Sequence, residues 1–267
     1  MEYQGNIFKM RTEVAEPVRY YLPIGGSEAD MNALLGHAMR LRFDGQINCI
    51  CCGKRTKTSF GQGFCFSCFK TSPEASETVV NPELSRAHFG IARDLEWSVK
   101  NELVDHFVYL AVSKEVKVGV TRGQQIPTRW IDQGASSAIR LAKTPNRHIA
   151  GVIEFFLKKH MTDKTSWKEM LQNQVNANCD LIAEKEKAIR LLPAELRQYA
   201  CDDHQIVKLS YPVLQYPEKV TGLNFDKDPV IEGHLVGIKG QYLIFDHNRA
   251  VNIRRHSGYY LTMTVDS

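Results

Sequence analysis

Two cysteine pairs constrain this chain more than any other feature: Cys49-Ile50-Cys51-Cys52 and Cys65-Phe66-Ser67-Cys68. Two thiolates three positions apart on a tight turn can occupy two corners of a tetrahedron, and a second such knuckle fills the other two. The spacing therefore predicts a four-cysteine zinc ribbon with Cys49, Cys52, Cys65 and Cys68 as ligands and Cys51 as a bystander. Gly53, Gly61 and Gly63 supply the backbone freedom that such turns need. Four protein ligands close the coordination sphere, so the zinc is expected to be structural rather than catalytic.

Several classes are excluded by simpler arguments. The chain has 267 residues, 43% of them apolar and 24% charged, which is the composition of an ordinary globular protein of one or two cores. No apolar run approaches the roughly 18 residues of a membrane helix, and the first residues lack the basic-then-apolar order of a secretory signal. A cytoplasmic location with no membrane partner is expected, and with it reduced thiols that bind metal instead of forming disulfides.

The net charge of +4 hides an uneven distribution. Between Gly45 and Pro73 stand Lys54, Arg55, Lys57 and Lys70 with no acid. From Lys117 to Ile153, Lys117, Arg122, Arg129, Arg140, Lys143 and Arg147 face only Asp132. Both stretches predict contacts to nucleic-acid phosphates, through Lys54, Arg55 and Lys57 in the ribbon and Arg122, Arg140, Lys143 and Arg147 beyond it. Phe60, Phe64, Phe66 and Phe69 interleave with the ribbon cations; they either stack bases or form the small core around the metal.

Pattern and punctuation divide the chain into a β-rich segment at 1–48, the ribbon at 49–72, a helical connector at 81–105, an αβ module at 106–175, a helical and linker segment at 176–230 and a β segment at 231–267. Asp44-Gly45 predicts a hairpin turn. Asn81-Pro82-Glu83 predicts the start of a helix running towards Trp97, against which Gly90 counts. His106–Ala111 and Val116–Thr121 predict a hairpin, Pro127 to Ile131 a helix, Ala138–Ala142 a third strand, Arg147–His160 an amphipathic helix and Asn173–Leu192 a more polar one. One economical arrangement pairs the two β-rich ends and inserts the middle between them.

Within the αβ module, Phe107-Val108-Tyr109, Lys117-Val118-Gly119, Arg129 and Ala150-Gly151-Val152-Ile153-Glu154-Phe155-Phe156-Leu157 resemble the core of the GIY-YIG nuclease family in content and order. The resemblance implies an α+β fold, a GIY-YIG-like αβ core carrying the ribbon and the β-rich ends. It also implies catalytic roles for Tyr109, Lys117, Arg129 and Glu154, with Mg²⁺ or Mn²⁺ at Glu154. Tyr109 would accept a proton from water, Arg129 would hold charge building on a scissile phosphate and Glu154 would bind the metal. Phe107 replaces that family's first glycine and Lys117 its second tyrosine.

Over nearly the whole chain, Cys49-x-x-Cys-Gly-Lys54, Glu96-Trp97, His106-x-Val-Tyr-Leu-Ala111, Arg129-Trp-Ile-Asp-Gln-Gly-Ala135 and Asp163-x-Thr-x-Trp167 also resemble a bacterial family known only as a domain of unknown function. That resemblance implies no activity. The expected function is a zinc-containing DNA- or RNA-binding protein with a nuclease-like site. The alternatives are a non-catalytic binder that keeps a degraded nuclease fold and a protein-interaction module.

Overall fold

The computed structural model describes residues 1–161, 166–176 and 179–266. In chain order the strands are β1 (Glu2–Asn6), β2 (Arg11–Glu13), β3 (Arg19–Ile24), β4 (Ser27–Asp30), β5 (Ala38–Asn48), β6 (Arg55–Thr56), β7 (His106–Val112), β8 (Val116–Arg122), β9 (Ser137–Thr144), β10 (Ile206–Lys208), β11 (Thr221–Leu223), β12 (Val230–Lys239), β13 (Tyr242–Phe245), β14 (Arg249–Asn252) and β15 (Tyr259–Val265). The helices are α1 (Phe66–Thr71), α2 (Leu95–Asn101), α3 (Thr128–Asp132), α4 (Arg147–Leu157), α5 (Trp167–Leu171), α6 (Leu181–Leu191) and α7 (Ala194–Arg197). The protein is thus mixed α+β and rich in strands. Among the described residues no helix is long and apolar enough to cross a membrane.

Two compact units share the chain. The first comprises Met1–Lys70, Ile131–Gly134 and Ser210–Ser267. Its main sheet runs β1-β15-β5-β12-β13-β14-β11, with β6 also paired to β5, and β2-β3-β4 form a smaller sheet. The two β-rich ends do pair: Glu2 to Asn6 lie antiparallel to Thr264 to Tyr260. Leu41, Ile231, Leu243, Leu261 and Met263 place the core on this sheet.

The Asp44-Gly45 hairpin is not formed. Residues Ala38–Asn48 make one strand, in which Gly45 adopts a left-handed φ of 74°. The register against β15 shifts there, from Phe43 opposite Leu261 to Ile47 opposite Tyr259. Gly45 therefore serves a bulge, since β15 already supplies a ladder partner on both sides of it.

The second unit comprises Thr71–Trp130 and Ala135–Leu209. Its antiparallel sheet runs β10-β9-β7-β8. Strand β7 is buried on both faces. Val108, Leu110 and Val112 pack with Ala150, Ile153 and Leu157 of α4, whereas Tyr109 and Ala111 pack with Trp130, Ala135 and Ala138. The predicted order of hairpin, helix, strand and helix is observed. Asn146 caps α4 by accepting the Ile149 N–H at 3.0 Å.

Two helices differ from expectation. After Asn81 there is only a 3₁₀ turn, Pro82–Leu84; a second, Ala87–Phe89, ends on Gly90 at φ 75°. The helix proper starts after Asp94, whose carboxylate accepts the Trp97 N–H at 2.9 Å. Likewise, Asn173 has φ 54° and α6 begins only after Asp180, which accepts the N–H groups of Ile182 and Ala183 at 3.0 Å. In both cases a carboxylate cap competes successfully with a merely compatible sequence upstream. Asp163 and Thr165 of the wider resemblance lie outside the described residues.

Candidate metal centre and basic clusters

The ribbon is built from two tight turns. The Gly53 N–H donates to the Cys49 carbonyl at 2.9 Å, closing the first knuckle, and the Phe69 N–H donates to the Cys65 carbonyl at 2.9 Å as α1 begins. The ligand atoms of Cys49, Cys52, Cys65 and Cys68 all lie within 4.8 Å of one another. Cys52 Sγ and Cys65 Sγ are 3.9 Å apart. Zinc–sulfur bonds of about 2.3 Å at tetrahedral angles require sulfur separations of about 3.8 Å, so the quartet fits zinc in both chemistry and spacing. Among the described residues it is the single group of three or more such side chains placed to hold a metal.

Burial raises the Cys49 thiol, but backbone N–H groups of Cys65, Cys52 and Cys51 and the Cys52 side chain outweigh it and bring the group down to about 6. Cys51 is exposed and stands outside the quartet. The phenylalanines contact one another: Phe60 meets Phe66 edge-on at 5.5 Å and Phe69 stacked at 5.9 Å. Phe64 is buried, while Phe66 remains 58% exposed. Lys54, Arg55 and Lys57 are exposed. No ion pair engages them among the described residues.

In the second unit, Tyr109 sits opposite Gly119 and its ring contacts Trp130 edge-on at 5.9 Å. It is only 1% exposed. Lys117 pairs with Ala111, two residues from Tyr109, and so projects from the same sheet face. Burial and the Arg129 guanidinium both push the Lys117 ammonium below its ordinary value. Glu154 is buried on α4, 3.3 Å from Lys158. Burial raises its carboxyl, against the opposing pull of Lys158 and of Arg129. Arg129 thus links Lys117 to Glu154 electrostatically.

The remaining predicted cations divide sharply. Arg140 pairs with Asp203 at 3.0 Å and Lys143 with Asp105 at 2.7 Å. Arg122 donates to the Asn101 side-chain oxygen. Arg147 donates to the carbonyls of Thr78 at 2.8 Å and Val79 at 2.9 Å and lies 4.0 Å from Glu102. For Lys117 and Arg129, the described residues supply no ion pair or hydrogen bond to the side chain.

Two features are absent from the sequence reading. Glu102 is a buried carboxylate that accepts from Thr78 Oγ1 at 2.8 Å and Ser85 Oγ at 3.2 Å. Phe43, Phe225 and Asp226 line a cavity of about 760 Å³ beside Arg55 and Lys57. Neither has a local signal, because the partners come from segments far apart in the chain.

Comparison with known proteins returns one family, described as "Protein of unknown function (DUF2797)", which matches residues 36–261. Neither a curated protein nor a solved structure matches the chain.

Proposed function

The chain belongs to this family, and on that premise we propose that it is a zinc-ribbon protein that binds nucleic acid through its basic clusters. The observation that carries the reading is the pair Lys117 and Arg129. Both cations are partly buried, burial first and repulsion by the Arg129 guanidinium second disfavour the charged Lys117, and no side-chain anion is paired with either among the described residues. An anionic ligand would relieve that repulsion, and a phosphate satisfies a guanidinium and an ammonium together. The exposed Lys54, Arg55 and Lys57 supply a second cationic surface of the same character. Fluorescence anisotropy with labelled duplex DNA and structured RNA from 50 to 300 mM salt tests the reading. Affinity should fall steeply with salt, as counterions are released. No binding at the lowest salt would overturn it in favour of a protein-interaction module.

A second reading, phosphodiester cleavage, is supported by the electrostatic effect of Arg129 on both Lys117 and Glu154. Glu154 would hold the Mg²⁺ or Mn²⁺ that the GIY-YIG resemblance implies, a divalent ion keeping most of its waters as Mg²⁺ does. Arg129 would then lie where charge builds on a phosphate. Tyr109 enters this reading less easily, since a proton acceptor must reach water and this hydroxyl is buried against Gly119. Incubating the purified protein with labelled nucleic acid and each metal, beside Glu154→Gln, distinguishes enzyme from binder.

A further inference from the structure

The cavity of about 760 Å³ in the first unit is lined by Phe43, Gly45, Ile47, Arg55, Thr56, Lys57, Phe225, Asp226 and Pro229. Its volume falls in the range of small-molecule sites, roughly 300–1,000 Å³. The bulge at Gly45, whose φ of 74° carries β5 past a register shift, leaves one wall without a side chain. On the floor, the half-buried Phe43 ring lies against Tyr259 with centroids 4.9 Å apart. Tyr259 is itself held, its hydroxyl donating to Asp226 Oδ1 at 2.7 Å, and Phe225 packs edge-on against His256 at 4.9 Å. These rings are fixed before any ligand arrives, so stacking on Phe43 would order little that is not already ordered. On the rim, Arg55 and Lys57 stand two residues apart at the end of β6 and both line the cavity.

We propose that this cavity binds one nucleotide unit, an aromatic base stacked on Phe43 with its phosphate held by Arg55 and Lys57. A purely apolar ligand would leave the two cations without a role. A bare polyanion would leave the aromatic floor unused and would meet the Asp226 carboxylate. A base carrying a phosphate satisfies all three, with Asp226 accepting from an exocyclic amine. The unit could be a mononucleotide or an unpaired nucleotide of a strand; the second source rests on the nucleic-acid reading above.

Equilibrium dialysis of the full-length protein with its bound metal separates these sources, using adenosine 5′-monophosphate and a single-stranded ten-nucleotide oligoadenylate as probes. Phe43→Leu keeps the apolar wall and removes the ring, and should weaken the bound probe roughly five- to hundredfold. Lys57→Glu, on an exposed side chain that leaves the core untouched, should weaken it by about tenfold at low salt and lower the salt slope of the oligonucleotide. Binding of the monophosphate that depends on Phe43 while the oligonucleotide fails to bind would keep the cavity and end the nucleic-acid reading. Oligonucleotide binding that falls with Arg129→Ala but ignores both Phe43→Leu and Lys57→Glu would do the reverse. If neither probe binds the folded protein, the cavity is not a nucleotide site.

Discussion

A Cβ built on Gly119 would lie 2.6 Å from the Tyr109 hydroxyl and 2.7 Å from the ring carbon that bears it. The two residues face each other across the β7–β8 hairpin, so the tyrosine ring occupies the space that a side chain at 119 would need. Glycine at this position is a packing requirement, since no positive φ is involved. Gly119→Ala should destabilise the protein by about 1–3 kcal/mol, the usual effect of overfilling a packed site. Adding Tyr109→Phe should recover little, because the ring carbon still intrudes. Urea unfolding of the wild type and the two variants checks this, and full recovery by the phenylalanine would contradict it.

The zinc quartet predicts about one zinc per chain by elemental analysis. Cys52→Ser removes one of four thiolates and should lower thermal stability markedly, since metal binding supplies folding free energy to a ribbon. Cys51→Ser should leave both zinc content and melting temperature nearly unchanged, as its thiol stands outside the quartet. Metal-free protein with an unaltered melting curve would refute the assignment.

The basic residues of the second unit differ in whether an anionic side chain already engages them. Arg129→Ala and Lys117→Ala should each weaken nucleic-acid binding more than Lys143→Ala, whose ammonium is already engaged by Asp105 at 2.7 Å. Losing one phosphate contact lowers the salt slope by about 0.9 on duplex DNA. Equal effects for all three would show that the ion pairs do not restrain these side chains.

His106 is fully buried, and burial lowers its imidazole to about 4 from the ordinary 6.5. Nδ1 lies 2.8 Å from the Val104 carbonyl, while Nε2 has no hydrogen-bond partner among the described residues. A depressed folded value means that the unfolded chain binds the proton more readily. The contribution is therefore fully present above about pH 6.5 and is lost as the pH falls towards 4. Stability should drop by up to roughly 3 kcal/mol across that window. His106→Phe should flatten this acid limb, which urea midpoints at pH 4.5, 5.5 and 7 would reveal.

Glu154 has the opposite sign. Burial raises its carboxyl above the ordinary 4.5, so its contribution is complete below that pH and is lost as the pH rises through the folded value. Glu154→Gln should then equal or exceed wild type in stability at pH 7, with the difference vanishing near pH 4. A large loss at pH 7 would mean that the contact with Lys158 outweighs the desolvation. The same variant should leave nucleic-acid affinity nearly unchanged while removing any metal-dependent cleavage.

Local chemistry alone determined the ribbon, because knuckle geometry depends on ligands three residues apart and on the glycines between them. It also determined the β7–β8–α3–β9–α4 order, where period and punctuation agree: α4 carries apolar residues at helical spacing behind an Asn146 cap. The bulge at Gly45 was not legible, since Asp-Gly suits a hairpin and a bulge equally and only the ladder with β15 selects between them. Nor was the late start of α2, since Asn81-Pro82 suits a helix start as well as Asp94 does, and in the folded chain only 3₁₀ turns follow Asn81 while Asp94 caps the helix. The sequence placed Arg140, Lys143, Arg147 and Arg129 together as basic residues. Tertiary structure divided them, giving the first three carboxylate or carbonyl partners and leaving Arg129 with no ion pair among the described residues. Charge is a property of composition, but whether a cation is available to a ligand depends on which distant segments fold against it.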